Sequence, residues 1–160
     1  MRMLLKSIMD VCDEGRFARM SGFIQHGETT CMLHTIAVAY YSNMLVKKFK
    51  LKCRKQELVR GALLHDYFLY DWHDGKPERR IHGFTHPGTA LENAEHDFEL
   101  TELEKNIIAR HMFPLTPIPP AAREGWIVCA VDKACSVYEV FSKTPYSRLA
   151  RFLRKNNINV

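Results

Sequence analysis

Apolar residues recur every three or four positions along almost the whole chain, and no stretch of useful length alternates apolar with polar. That spacing gathers apolar side chains onto one stripe of a helix, so it constrains the fold more than any other feature. Met3, Leu4, Ile8 and Val11 mark a first helix over 1–14, which Gly15 ends. The loop Gln25-His26-Gly27-Glu28 leads to Thr29 and Thr30, N-cap candidates for a long helix to about Lys50. Its buried stripe is Leu33, Ile36, Ala37, Tyr40 and Met44. Leu58, Ala62, His65, Asp66 and Leu69 share one face of a helix predicted from about Lys55 to Tyr70. The polar run 71–85, with Gly75, Pro77 and Gly83, reads as an ordered surface loop. His86-Pro87 opens the next helix, with proline at its first position. Thr101 and Glu104 form a capping-box pattern for a helix through Met112. Prolines 114, 117, 119 and 120 then break the chain. A last long helix over about 121–141 is predicted to bury Ile127, Ala130, Val131, Ala134, Val137 and Phe141, and Tyr146–Lys155 forms a short basic one. The expectation is a single all-α domain over 1–160, a compact bundle of about six to eight helices.

Composition excludes several classes. A chain of 160 residues that is 46% hydrophobic is not disordered, and eight glycines and seven prolines exclude a collagen-like one. No apolar run approaches the roughly 20 residues of a membrane span. The opening MRMLLKSIMDVCDEG turns acidic before a signal-peptide core could form. The five cysteines, Cys12, Cys31, Cys53, Cys129 and Cys135, form no Cys-x-x-Cys pair and read as reduced thiols, so a cytoplasmic location is expected. The net charge of +5 gathers mainly in Lys47–Lys55 and Arg148–Lys155, where it suits helix ends. It also suits a small anion, whereas no aromatic platform for single-stranded nucleic acid is evident. Gly-x-Gly-x-x-Gly turns, P-loops and Gly-x-Ser-x-Gly elbows are absent from the sequence.

Chemistry is concentrated in eight histidines between His26 and His111. His65-Asp66 interrupts an apolar stripe, and a buried carboxylate is costly unless it is paired or binds a metal. His34 lies beside the stripe of its helix, His86 precedes Pro87, His111 closes the Thr101 helix, and Asp132 sits within the last long helix. Each alone reads as readily as a core or capping residue. Together they supply one imidazole or carboxylate from each of several helices, the way metal sites in bundles are built.

This ordered set, carried by TTCMLHTIAVAY, GALLHDYF, FTHPGTALENA, IIARHMF and IVCAVDKACSVYE, resembles the HD-domain superfamily of metal-dependent phosphohydrolases over about 29–138. More narrowly, it is similar to members that bind two metals, such as symmetric diadenosine-tetraphosphate hydrolases and small bacterial HD hydrolases. The resemblance implies one metal on His34, His65, Asp66 and Asp132, and a second on His86 and His111 with Asp66 bridging. His65 and Asp66 are the implied catalytic pair. This donor set favours Fe, Mn or Zn over Mg. Two such ions about 3.5–4 Å apart would acidify a bridging water for attack on phosphorus. The implied substrate is a small phosphate ester, nucleotide or dinucleotide. Candidate contacts to it are Lys76, Arg79 and Arg80 in the 71–85 loop, Lys133 beside Asp132, and His26 and His82. His73 and His96 read as surface residues, and Cys31 as packing. HDYF stands where cyclic-dinucleotide phosphodiesterases have HDIGK, and the Glu-Asp pair of guanosine-tetraphosphate hydrolases is missing. The ligand set also resembles HD-fold di-iron oxygenases that cleave C–C or C–P bonds. A third reading is a non-catalytic module binding an anion or nucleic acid through its basic ends.

Overall fold

In a computed structural model, which describes residues 2–160 apart from the side chains of Glu78 and Arg79, the helical periodicity resolves into seven α-helices. They are α1 (Arg2–Glu14), α2 (Cys31–Lys48), α3 (Lys55–Leu64), α4 (His82–Asp97), α5 (Glu102–Arg110), α6 (Arg123–Phe141) and α7 (Ser147–Lys155). A 3₁₀ turn, Phe17–Gly22, leads into two antiparallel strands, β1 (Ile24–His26) and β2 (Thr29–Thr30). These strands are too short to leave an alternating pattern, which is why the segment reads as a loop in sequence. Gly27, at φ +57°, supplies the left-handed residue that lets the chain reverse there. Thr30 accepts from the Leu33 amide at 3.1 Å and so caps α2. The capping box at α5 is complete: Thr101 Oγ1 accepts from the Glu104 amide, and Glu104 accepts from the Thr101 amide. No helix among the described residues is long and apolar enough to cross a membrane.

Three sequence expectations need correction. The helix predicted to Tyr70 ends at Leu64, and His65-Asp66 follow as a turn, with Leu69 at φ +59° completing the change of direction. Tyr67 and Phe68 are buried beyond that turn, so core burial prolongs the apolar run after the helix has stopped. α4 begins at His82, one turn before His86-Pro87, because the 3₁₀ turn Pro77–Ile81 feeds directly into it. Pro87 therefore sits inside the helix, where its missing N–H forfeits one bond near the start. Finally, α6 buries Ile127 and Val131 as expected but turns Ala130, Ala134, Val137 and Phe141 outward, and Met44 of α2 is also exposed. The inner face of α6 instead carries Val128, Cys135, Asp132 and Glu139, the two acids finding partners there.

The core forms where α2 packs on α3 and α6, and α3 on α5, around Ile36, Leu58, Leu63, Ile107, Ile108 and Val128. Gly61 allows the close approach of α5, since a Cβ there would lie 2.8 Å from Ile107 Cδ1. The turn holding His65-Asp66 is clamped from outside the core. Asn93 Nδ2 donates to the Tyr67 and Phe68 carbonyls, both at 3.1 Å. The Tyr67 hydroxyl donates to Asp97 at 2.7 Å, and Arg16 pairs with the same carboxylate at 2.7 Å. Burial works against the Asp97 charge, but the Arg16, His96 and Tyr67 bonds outweigh it and hold the carboxyl well below its usual range.

Candidate metal centre

Four histidines reach the centre with Nδ1 already engaged. His34, in the first turn of α2, places Nδ1 at 2.8 and 3.0 Å from the two Glu139 oxygens. His65 and His111, just past the ends of α3 and α5, fold back onto carbonyls three residues earlier, Ala62 at 2.7 Å and Ile108 at 2.8 Å. Such carbonyls are free because the last turn of a helix leaves its acceptors unpaired. His86 Nδ1 meets the His82 carbonyl at 2.9 Å. A carbonyl can only accept, so these rings carry their proton on Nδ1 and, when neutral, aim an Nε2 lone pair inward.

All four Nε2 atoms converge on two aspartates. His34 Nε2 lies 3.1 Å from Asp132 Oδ1 and 3.6 Å from Asp66 Oδ2. His65 Nε2 lies 3.4 Å from Asp66 Oδ2 and 3.5 Å from Asp132 Oδ1. The other Asp66 oxygen, Oδ1, faces His86 Nε2 at 3.1 Å and His111 Nε2 at 3.3 Å. Two groups that could each hold a metal ion result, His34-His65-Asp66-Asp132 and Asp66-His86-His111, each with its donor atoms within 4.8 Å of one another. Asp66 belongs to both, and all six residues are buried.

These residues fit divalent cations on their own geometry. His65 Nε2 and Asp66 Oδ1 are buried with no hydrogen-bond partner among the described residues, a situation costing about 1–3 kcal/mol per atom if nothing else approaches. His86 Nε2 and His111 Nε2 stand 2.9 Å apart, and with both Nδ1 atoms protonated their lone pairs face each other. A cation between ring and carboxylate relieves both conflicts. Imidazole and carboxylate without thiolate suit Zn, Fe or Mn.

The electrostatics agree. Burial opposes charge on His34, but its bonds to Asp132 and Glu139 prevail and raise its pKa to about 9. His65 is likewise held well above its ordinary value, burial being outweighed by Asp66 and Asp132. Against the same burial, the histidines keep Asp66 and Asp132 well below the usual carboxylate range. Burial lowers His111. Groups that hold a proton on an inward nitrogen hold a divalent ion by the same attraction, so the two compete.

A cavity of about 650 Å³ opens beside the centre. Asp66, His86, His111 and Asp132 reach its floor, while His26, Trp72, His82, Met112, Pro114 and Leu115 form walls. Arg80 and Lys133 also line it, Lys133 Nζ donating to the His111 carbonyl at 2.8 Å. His26 stands 6.0 Å from the His34 ring, and burial depresses its pKa. His82 stacks between His86, at 4.5 Å, and Trp72, at 5.0 Å, with the Tyr70 hydroxyl 2.8 Å from its Nδ1. Lys76 is not brought to the cavity. Asp74, two residues earlier, takes its ammonium at 3.0 Å on the exposed surface. Arg79 lies outside the described side chains. His73 and His96 are exposed, His96 beside Asp97 at 2.7 Å.

Two supporting residues escape the sequence reading. Glu139 follows Asp132 by two helical turns and therefore shares its face, a spacing that could have found it. The Tyr146 hydroxyl donates to its Oε1 at 2.9 Å. Gln25 Nε2 donates to Asp66 Oδ2 at 2.7 Å, while Cys31 Sγ donates to Gln25 Oε1 at 3.1 Å. A thiol on one end and a carboxylate on the other fix which way that amide points.

Residues 32–135 match the HD domain family. No curated protein and no solved structure matches the chain.

Proposed function

Since this chain belongs to the HD domain family, we propose that it is a metal-dependent phosphohydrolase acting on a small phosphorylated substrate. The observation that carries the reading is the division of Asp66, one oxygen turned to His34 and His65, the other to His86 and His111. His34, His65, Asp66 and Asp132 would hold one divalent ion, and His86 and His111 a second with Asp66 shared. Such a pair, when bound, supplies Lewis acidity and a water acidified toward neutral pH.

The chain's own groups do the rest. Glu139 fixes the ring plane of His34, and Gln25 fixes the Asp66 carboxylate, so neither ligand must reorganise as charge develops. Arg80 and Lys133 stand where they can offset negative charge on phosphoryl oxygens. Trp72, Met112, Pro114 and Leu115 offer an apolar wall that displaces water and receives the non-phosphate part of the substrate. The five cysteines are free, which supports a reducing, cytoplasmic setting.

Protein stripped of metal and reloaded with Mn²⁺ or Fe²⁺ should release phosphate from some member of a phosphate-ester and nucleotide panel. Asp66→Ala should lose both bound metal and turnover. Full turnover by a metal-free Asp66→Ala protein would overturn the proposal. So would a metal-replete protein inert across the panel that consumes O₂ when iron-loaded and reduced.

A further inference from the structure

α6 carries apolar residues on its outer as well as its inner face, more than a helix with one side in solvent needs. Only its inner face is enclosed. Trp126, Val137, Tyr138, Val140 and Phe141 are between 46% and 84% exposed, and Ala130 and Ala134 lie exposed among them. At 100° per residue, Trp126, Ala130, Ala134, Val137 and Phe141 fall within an arc of about 80°. From 126 to 141 the acids Asp132 and Glu139 are buried, and Lys133 bends away onto the carbonyls of His111 and Cys129. Within 126–141 no acid interrupts the outward stripe, and the half-exposed Lys133 at its edge turns its ammonium to carbonyls of its own chain.

We propose that this stripe docks a second copy of the chain, α6 lying antiparallel on α6 across a two-fold axis. The spacing is self-complementary about a point between 133 and 134. Trp126 and Phe141 are equidistant from it, as are Ala130 and Val137. A copy turned end for end therefore meets aromatic with aromatic at both ends, and alanine with valine near the middle. An isologous interface requires this kind of match. The area reaches the size needed if the flanks of the stripe are covered too: taking about 150–250 Å² for a large side chain, the exposed fractions of Trp126, Val137, Tyr138, Val140, Phe141 and Met44 total at most roughly 650 Å² per copy. A pair that covered all of it would bury about 1,300 Å², at the lower end of the roughly 1,200–2,000 Å² of stable interfaces. Beside the stripe, a groove of about 350 Å³ between Met44 and Tyr138 can seat side chains of the copy. The inference is independent of the chemistry at the metal centre.

Sedimentation velocity of the full chain tests it. The expected result is a dimer in the micromolar range. Val137→Glu and, separately, Phe141→Glu should each weaken association by about a hundred-fold or more, since a two-fold interface receives every new charge twice. Both positions are exposed, so circular dichroism should not change, nor should Tm measured at concentrations where the wild type is itself monomeric. Phe49→Glu, also at an exposed aromatic but at the end of α2, should leave the dimer intact. A wild-type monomer throughout that range overturns the proposal, including one that instead binds phosphatidylcholine vesicles. A dimer indifferent to both glutamate variants overturns it equally.

Discussion

Glu139→Gln isolates the contribution of a charge that would touch no metal. The carboxylate is 1% exposed, receives His34 Nδ1 at 2.8 and 3.0 Å, and accepts the Tyr146 hydroxyl at 2.9 Å. Glutamine has the same shape and keeps one acceptor oxygen for the His34 N–H, so packing and fold should survive. The loss is the negative charge, which makes the inward Nε2 of His34 more basic and holds the ring in its tautomer. Removing such a supporting carboxylate typically weakens metal binding by about 10–100-fold, or about 1.4–2.8 kcal/mol.

The same substitution has a second, metal-independent consequence. Glu139 is one of the two acids that raise His34 to about 9. Without its charge the His34 pKa should fall below about 9, because burial, which disfavours the charged ring, is then opposed by Asp132 without Glu139. Chelator competition with Zn²⁺ or Mn²⁺ reads the first effect, and the imidazole NMR shifts of metal-free protein read the second. Unchanged affinity together with an unchanged titration would refute the role assigned to Glu139. A fall in both, with Tm preserved, separates positioning from folding.

Three further outcomes follow from the geometry. Metal binding to the stripped protein should tighten as pH rises from about 6 to 9, up to about tenfold per unit while the His34 proton is displaced. Isothermal titration in buffers of different ionisation enthalpy should detect the released proton, and a flat profile would contradict the competition. In that metal-free state, the raised His34 contributes stability below its unfolded pKa of about 6.5, which is lost as pH climbs through about 9. The lowered Asp66 and Asp132 contribute above about 3.9 and lose it as pH falls. Gly61→Ala should destabilise although alanine favours helix by about 1 kcal/mol, because the new methyl meets Ile107 Cδ1 at 2.8 Å and its Cβ and Cγ2 at 3.1 Å. Overpacking of this kind costs about 1–3 kcal/mol, and each net kcal/mol lowers Tm by about 2–4 °C in calorimetry. A raised Tm would show that the α3–α5 contact yields.

The six candidate ligands were legible as residues in need of partners because a histidine or aspartate in an apolar stripe is costly without one, so the letter itself announces it. That signal survives an error in secondary structure. His65 and Asp66 are buried whether the chain around them is a helix, as the spacing predicts, or the turn that follows Leu64. The error arises because Tyr67 and Phe68 are apolar for the sake of the core, and core burial writes the same letters as a helical stripe. Gln25 is a different case. Its contact with Asp66 spans 41 residues and exists only because the β1–β2 turn lays β1 against the ligand turn, which no local pattern encodes.

α6 shows where periodicity runs out. Ile127, Val128, Val131 and Cys135 make one apolar face, and Trp126, Ala130, Val137 and Phe141 make another. Hydrophobicity alone gives no reason to bury the first rather than the second. The tie is broken by the polar residues. Asp132 and Glu139 are the costlier groups to bury, but only the inner side offers them imidazoles and the Tyr146 hydroxyl, and that orientation lets both serve His34. Two paired acids therefore decide which way the helix faces. The apolar side left outside is the remainder of that choice, and a second α6 carrying the same remainder is the surface that matches it.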